Sequence, residues 1–429
     1  MRPLLRSFGR FFQRNRASLC IMFCMTLTMT VVSMYTGQWL WRRNWYNSYT
    51  LQALAWLDGR LDLADGPSRT WLELAIYDGK YYVSFPPFPS YVMLPFALLF
   101  GENTPDAWIA LFFAMLSCVY AVRIYREVTH REDGLYAMVL YLLLANGYVY
   151  LTVNGWVWFI AQNMCFALSL MAIFYALAGR GGVSLTCWAC AVGCRPMVVV
   201  YLPLLVYLIC RRWKQLRPDW SLLKLIAKKW YWAIGPLLVA ASYMTLNYLR
   251  FGSVVEFGHN YLPEFSREGA TPQFSWGSFW PNLKLYLRLP QWKGDSGIGF
   301  YALQGNAFYL VNPIILTTFA SLLWAMGSAL HRRLTHQPGP RRPEAVRWPV
   351  MVMVPLLAAV HVVWICCHAT LGAVQFGNRY LVDTFPWLYL GFLWWMPRDE
   401  RFTRWHLPLL CYGTCVNVVG AIFSYNNLL

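Results

Sequence analysis

Stretches of about twenty consecutive apolar residues recur along the chain, separated by shorter polar connections. An α-helix needs roughly 20 apolar residues to cross the hydrocarbon core of a bilayer. The apolar segments lie at 18–40, 105–125, 135–152, 156–179, 183–210, 230–249, 306–330, 348–367, 380–396 and 405–423. The pattern therefore predicts an all-α polytopic membrane protein.

Two stretches decide how many helices are expected to span. Residues 90–101 are too few to cross, and the proline-rich stretch 85–89 before them favours an interfacial helix. The run 183–210 is interrupted by Arg195 and Pro196, and a charge beside a helix-breaking proline indicates a hairpin that reaches water. Dividing the run there predicts about eleven spanning helices in a single integral membrane domain, residues 1–429.

Two polar connections are much longer than the others. They cover residues 41–104 and 250–305, and both are rich in Tyr, Trp and Phe. Long connections in a compact protein are usually functional or disordered, and aromatic residues at this density argue against disorder. We therefore expect a cap of two long loops, the first with interfacial helices.

The charge balance fits a membrane topology better than a nucleic-acid partner. The chain holds 36 Lys and Arg against 19 Asp and Glu, a net charge of +17. With the amino terminus inside, 24 of the 36 basic residues fall on the inner side. Because cytoplasmic loops are enriched in Lys and Arg, the pattern predicts a cytoplasmic amino terminus and places both long loops outside.

Cysteine use and motif content exclude several kinds of site. All twelve cysteines lie in or beside apolar segments, where Cys packs as a small hydrophobic residue, so we expect no structural disulfide. The sequence has no P-loop and no nucleotide-binding glycine motif. The spacing of its outer acids shows no cluster dense enough for Mg²⁺ or Mn²⁺. We therefore expect neither a metal nor another cofactor.

Several short motifs resemble those of one enzyme family. The chain is similar to bacterial polyprenyl-phosphate-sugar glycosyltransferases of the GT-C superfamily, relatives of the protein O-mannosyltransferases and the lipid A aminoarabinose transferase. The most informative motif, 74–89, resembles the end of the family's first periplasmic loop. The other matching motifs are Leu57-Asp58-Gly59-Arg60-Leu61, Cys194-Arg195-Pro196, Arg250-Phe251-Gly252-Ser253 and Phe376-Gly377-Asn378-Arg379-Tyr380-Leu381-Val382-Asp383 with Pro386.

The resemblance implies a GT-C-like bundle and an inverting transfer of a sugar. The implied donor is a polyprenyl-phosphate sugar, and the acceptor is a glycan, lipid or protein at the periplasmic or cell-surface side of a bacterial inner membrane. Such a reaction needs a carboxylate that accepts the acceptor's proton and cations that stabilise the phosphate leaving group. We expect membrane lipids as further partners and no nucleic acid.

The family's usual carboxylate after the first helix is missing. Asn44 and Asn47 stand in that stretch, and Asn154, Gln162 and Asn163 stand where many relatives carry a second acid. An asparagine or glutamine side chain is no general base at neutral pH. The role has therefore moved to another acid, or the protein binds without catalysing.

Glu73 and Asp78 are the candidate catalytic bases. Glu73 lies in the loop that resembles the family's active site, and a solvated loop acid is its alternative interpretation. Asp78 precedes Gly79 and is also typical of a turn. The candidate phosphate ligands are Lys80, Arg195 and Arg379, against headgroup contact for Lys80 and structural ion pairs for the arginines.

Four residues complete the candidate site as substrate contacts. They are His259, Tyr81, Tyr82 and Asp383. A single His in an aromatic loop is more often structural, and interfacial tyrosines are expected in any membrane protein. Asp383 lies one helical turn from Arg379 and offers it an ion-pair partner.

The sequence is also compatible with two other functions. The chain could be a transporter or flippase of a lipid-linked or small polar solute, or a catalytically inactive relative that binds a lipid carrier. Transporters commonly show matched helix breaks and midplane charges, whereas this sequence has one obvious break. Convergence of the candidate acids and cations on one cavity would favour the enzyme.

Overall fold

The structure is a computed structural model that describes residues 2–41, 44–292, 298–299, 307–336, 348–372, 375–397 and 400–426. Residues 42–43, 293–297 and 300–305 of the two predicted outer loops lie outside this part. Most of the described chain is helical. The α-helices are α1 (Arg2–Thr36), α2 (Ser48–Leu57), α3 (Phe88–Phe100), α4 (Asp106–Thr129), α5 (Leu135–Leu144), α6 (Tyr148–Thr152), α7 (Val157–Leu177), α8 (Gly181–Val192), α9 (Leu202–Leu216), α10 (Leu222–Lys229), α11 (Ile234–Phe251), α12 (Pro263–Ser266), α13 (Trp276–Leu287), α14 (Phe308–Val311), α15 (Pro313–Leu334), α16 (Trp348–Cys367), α17 (Phe385–Trp395) and α18 (Glu400–Asn426).

Seven helical segments in the described ranges are long and apolar enough to cross a membrane. They are Phe12–Thr36, Asp106–Thr129, Val157–Leu177, Pro196–Leu216, Pro313–Leu334, Pro349–Cys367 and Arg404–Asn426. The chain is therefore a multi-pass membrane protein with the all-α bundle that its sequence predicts. The other predicted spans contain shorter or interrupted helices, such as α5 and α6 within 135–152. The total of about eleven crossings stays a prediction.

Helix α7 lies at the centre of the bundle. Its most apolar window is 83% buried, compared with 28% for the window in the last helix, so α7 is surrounded by protein while α18 faces outward. It packs mainly against α4 and α8. The Asn163 amide in this helix is paired on both sides: its Nδ2 donates to the Ala110 carbonyl at 2.7 Å, and its Oδ1 accepts from Tyr148 Oη at 2.7 Å. Such pairing is needed because unpaired polar groups are costly in an apolar interior.

The first long loop contains a β-hairpin between α2 and α3. Strand β1 (Leu74–Tyr77) pairs with β2 (Lys80–Val83) in antiparallel register. The turn residues Asp78 and Gly79 have φ of 49° and 68°. Asp-Gly is a preferred pair for two-residue turns that need positive φ at both positions. The hairpin is an addition to the all-α fold that the apolar pattern did not predict.

The second long loop packs on the hairpin and on the end of α16. The ring of Phe251 lies 5.2 Å from that of Tyr82, and Arg250 Nη1 donates to the Val83 carbonyl at 3.0 Å. The Ser275 amide donates to the Cys367 carbonyl at 2.8 Å. These contacts bring the first loop, the second loop and the end of α16 together at one end of the bundle. A second small hairpin pairs β3 (Gln291–Trp292) with β4 (Ile298–Gly299).

All twelve cysteines are free thiols, within helices or at helix ends. Their distribution fits packing of small apolar side chains between helices.

Candidate active site

Two adjoining cavities open where the two long loops meet the helices. The larger, about 360 Å³, is lined by Glu73, Glu264 and Arg379, and we call it the acidic cavity. The smaller, about 130 Å³, has Arg195 among mostly apolar walls, and we call it the apolar cavity. Both are lined by Phe85, Trp158, His259 and Tyr380. The shared wall makes them two parts of one site.

Glu73 enters the acidic cavity from the start of the hairpin. It follows a 3₁₀ turn, Thr70–Leu72, and adopts a left-handed backbone with φ of 55°. Trp158 Nε1 donates to Glu73 Oε2 at 2.9 Å. Burial raises the pKa of the Glu73 carboxyl, the Trp158 hydrogen bond opposes that rise, and nearby Glu264 adds to it. The carboxyl is thus shifted toward the pH range in which general bases operate.

Arg195 occupies the apolar cavity with a buried partner. Its Nε donates to Asp383 Oδ2 at 2.9 Å, in a pair whose carboxylate side chain is fully buried and whose arginine side chain is 18% exposed. The guanidinium also lies 4.7 Å from the centroid of the Tyr380 ring. The sequence left lipid phosphate and a structural ion pair open for Arg195. The structure shows the ion pair and also places the residue in the cavity wall.

Arg379 lies against the same tyrosine ring in the acidic cavity. Its guanidinium is 4.8 Å from the Tyr380 centroid, and its Nε donates to the Gly372 carbonyl at 2.8 Å. Its Nη1 donates to Gln162 Oε1 at 3.1 Å. Two cations therefore flank one aromatic side chain at the junction of the cavities.

Gln162 links the two arginines across the centre of the bundle. Its Nε2 donates to Asp383 Oδ1 at 3.3 Å, while its Oε1 accepts from Arg379. A hydrogen-bonded chain thus runs from Arg379 through Gln162 and Asp383 to Arg195. The ion pair considered for Arg379 and Asp383 is not the one formed, because the Asp383 carboxylate faces Arg195 in the connection between α8 and α9.

Two histidines meet at the shared wall. The rings of His259 and His368 lie 5.9 Å apart, and Gln273 contacts His368 Nε2 at 3.3 Å. Burial lowers the pKa of His259 to about 3 and that of His368 to about 4, and the positive charge of Arg195 acts in the same direction on both. Both imidazoles are therefore neutral at physiological pH and serve as hydrogen-bonding groups.

No family model matches the chain, and no curated protein matches it. Solved structures do match the chain in fold. ArnT from Cupriavidus metallidurans bound to undecaprenyl phosphate superposes with a TM-score of 0.51 at 12% identity, covering 94% of this chain and 75% of that one. This chain has a GT-C fold. The apo oligosaccharyltransferase of Archaeoglobus fulgidus also matches, with a TM-score of 0.45 at 11% identity, covering 95% of this chain and 56% of that one.

The two cavities divide the candidate residues into two groups. Glu73, Arg195, Arg379 and His259 line the cavities, and Asp383 supports Arg195 from behind. The other four lie on the hairpin, and none of them is among the residues lining either cavity. They are Asp78, Lys80, Tyr81 and Tyr82.

The geometry of the hairpin explains why those four lie apart from the cavities. Asp78 is an exposed turn residue and Lys80 is exposed beside it. Tyr82 packs on Phe251 and Tyr81 on Gly66. Neighbouring residues of a strand point to opposite faces, but no residue on either face of the two strands lines the acidic or the apolar cavity.

Several residues that line the two cavities were not singled out from the sequence. Glu264 and His368 are among them, because neither belongs to a recognisable sequence motif. Trp158 was hidden among 23 tryptophans, most of which suit a membrane interface. Only the fold shows that its indole N–H faces Glu73. Among the described residues no group of three or more His, Cys, Asp or Glu is placed to hold a metal ion.

Proposed function

We propose that this chain is a membrane glycosyltransferase that moves a sugar from a polyprenyl-phosphate donor to an acceptor hydroxyl, with inversion. The observation that carries the proposal is the meeting of a partly buried carboxylate, Glu73, with the guanidinium groups of Arg195 and Arg379 around Tyr380. A displacement that leaves phosphate behind needs both kinds of group within one site.

In this proposal Glu73 is the general base. Its carboxylate accepts the proton of the acceptor hydroxyl while the new bond forms between the acceptor oxygen and the anomeric carbon. The bond from that carbon to the phosphate oxygen breaks, and its electron pair stays with the phosphate. Attack from the face opposite the leaving group inverts the anomeric carbon. Asp78, the other candidate base, lies at the exposed hairpin turn, so we assign the role to Glu73 alone.

Arg195 and Arg379 stabilise the departing phosphate in this proposal. Both are held before substrate arrives, Arg195 by Asp383 and Arg379 by Gln162 and Gly372. Cations fixed in advance cost little reorganisation when charge develops. The aromatic side chains around the acidic cavity, including Trp45, supply flat faces for a sugar ring.

The polyprenyl-phosphate donor is suggested by two observations. The apolar cavity places Arg195 among side chains such as Met197 and Phe274, which suits a phosphate attached to a hydrocarbon chain. The ArnT structure with the same fold is one bound to undecaprenyl phosphate. Together with the basic inner loops, this supports a bacterial inner membrane with a cytoplasmic amino terminus and the site on the outer side.

The test compares turnover and donor binding in purified protein in nanodiscs. Glu73→Gln is expected to bind a polyprenyl-phosphate sugar normally and to lose about 10²–10⁴-fold in turnover. Asp78→Asn is the matched control, because it makes the same carboxylate-to-amide change at an exposed turn, and it should retain full activity.

Other results would favour the competing functions. A wild-type protein that binds no lipid-phosphate sugar would contradict the enzyme and direct attention to transport. Binding without turnover against every acceptor would identify an inactive relative.

A further inference from the structure

A buried carboxylate outside the proposed chemistry lies one layer behind the wall of the acidic cavity. Asp106, the first residue of α4, is 5% exposed, and its Oδ2 accepts from Asn44 Nδ2 at 3.0 Å. Asn44 is itself buried. Removing a carboxylate from water is costly unless hydrogen bonds compensate. The groups that hydrogen-bond to Asp106 or pack against it therefore indicate its role.

Asn44 connects Asp106 by hydrogen bonds to Tyr46, which lines the acidic cavity. Asn44 Oδ1 accepts from the Tyr46 amide at 2.9 Å. The Tyr46 carbonyl in turn accepts from the Val157 amide at 3.0 Å. The chain leaving α1 is thereby joined to the first turn of α7.

Asp106 also supports the connection that precedes α7. A Cβ atom added at Gly155 would lie 2.8 Å from the Asp106 side chain, so this segment rests directly on the carboxylate. Beside it, Asn154 Oδ1 accepts from the Trp156 amide at 2.9 Å. Two separate backbone segments are thus fixed against one buried acid.

Both segments carry aromatic rings that line the acidic cavity together with Glu73. The Tyr46 ring lies 5.2 Å from that of Trp156 and 4.9 Å from that of Trp158. Trp158 makes the hydrogen bond to Glu73. A continuous path of contacts therefore leads from Asp106 to Glu73 through Asn44, Tyr46 and Trp158.

We propose that Asp106 is a positioning residue, which holds the segments around Asn44 and Gly155 so that the Trp158 indole stays hydrogen-bonded to Glu73. It touches none of the reacting atoms. The inference rests on the proposed function for its effect on turnover, but its geometric claim concerns the Trp158–Glu73 bond alone.

The kinetic test uses variants at both ends of the Asp106–Asn44 bond. Asp106→Ala and Asn44→Ala should each lower kcat about 10-fold to 100-fold, as small misplacements of catalytic groups do, with the donor KM unchanged. The double variant should be no worse than either single variant, because both remove the same link. Asp106→Asn, which keeps an acceptor oxygen, should recover most of the activity.

A second readout needs no turnover. Dicyclohexylcarbodiimide reacts with protonated carboxyl groups, so mass spectrometry of the labelled Glu73 peptide against pH reports when Glu73 ionises. Weakening the Trp158 bond removes a group that favours the ionised form. Labelling of Glu73 in Asp106→Ala should therefore persist to higher pH, in the direction that Trp158→Phe gives. Labelling of Asp219, an exposed acid in the connection before α10, is the internal control and should not change.

The outcomes separate this inference from the proposed function. Labelling of Glu73 that is unchanged in both Asp106→Ala and Asn44→Ala would overturn the positioning role, even if thermal stability fell. If Asp106→Ala does not fold, Asn44→Ala provides the same comparison, with Asp106→Asn as the control that keeps the hydrogen bond. If the wild-type protein turns over no lipid-phosphate sugar, the proposed function fails while the labelling result still decides the positioning role.

Discussion

Single side chains in this site are held by neighbours distant in sequence. Glu73 is 85 residues from its donor Trp158, and Arg195 is 188 residues from Asp383. Motif reasoning could select Glu73, Arg195 and Arg379 because each is a charge in an unusual sequence context. It could not identify their partners, because Trp158 and Gln162 have no distinctive sequence pattern. Asp106 was missed because an acid at the start of a helix is common.

The pH dependence of turnover should follow the ionisation of Glu73. A base must be ionised to accept a proton, so activity is lost as the pH falls through the raised pKa of Glu73. Trp158→Phe removes a hydrogen bond that favours the ionised form and raises that pKa further. The acidic limb of the kcat profile should therefore move to higher pH. Trp156→Phe, which changes a neighbouring cavity residue, should leave the limb in place, and an unmoved limb in Trp158→Phe would contradict the role of Glu73.

Removing the partner of Arg195 should destabilise the protein strongly. Asp383→Ala leaves a mostly buried guanidinium unpaired and should cost about 3–5 kcal/mol in the free energy of unfolding, measured with denaturant in detergent. The control is Asp65→Ala, which removes a more exposed partner, that of Arg69, and should cost about 1 kcal/mol or less. Equal losses in the two variants would show that burial of the Arg195–Asp383 pair has no energetic weight.

At the scale of elements, the hairpin shows what apolar periodicity cannot reveal. Its strands have four residues each and no long apolar run. A search for membrane-spanning helices therefore does not detect them. The Asp78-Gly79 pair between two aromatic stretches was the available signal, and it indicated a turn without the strands on either side. The long helices, in contrast, follow directly from apolar length because lipid leaves few alternatives to a helix.

Two glycines of this loop should differ in tolerance to alanine. At Gly79 φ is +68° but no atom lies within 4 Å of an added Cβ, so Gly79→Ala should cost only about 1 kcal/mol of local strain. At Gly66 the added Cβ would lie 2.2 Å from Tyr81 Cβ, which cannot swing away.

Gly66→Ala should therefore displace β2 and increase amide hydrogen exchange across 74–83 much more than Gly79→Ala does. Protection that is equal in the two variants would show that the hairpin does not depend on this close approach.

At the scale of the whole molecule, most of the basic residues and the candidate site are expected on opposite sides of the bilayer. The cavities lie where the two long loops meet, whereas 24 of the 36 basic residues belong to connections that the sequence predicts to be inside. The bundle and the membrane location were predictable from composition and segment length. The arrangement of the cap was not, because aromatic contacts between distant loops leave no periodic pattern.

Labelling in intact cells tests this orientation. In a cysteine-free background, Asp78→Cys should react with a membrane-impermeant maleimide added outside, while Asp219→Cys in the connection before α10 should react only after the membrane is opened. Both positions are exposed, so accessibility to solvent is matched. The reverse pattern would invert the topology and place the cavities on the cytoplasmic side.

The bonded chain from Arg379 through Gln162 and Asp383 to Arg195 also has an evolutionary consequence. Each member satisfies a neighbour that would be costly to leave unpaired inside the protein. Substitution of one member alone is therefore expected to be selected against, and descendants of a common ancestor should keep or replace these four positions together. In an alignment of related sequences, we expect correlated replacement of residues 162, 195, 379 and 383. We expect no comparable correlation at exposed Asp78 or Lys80.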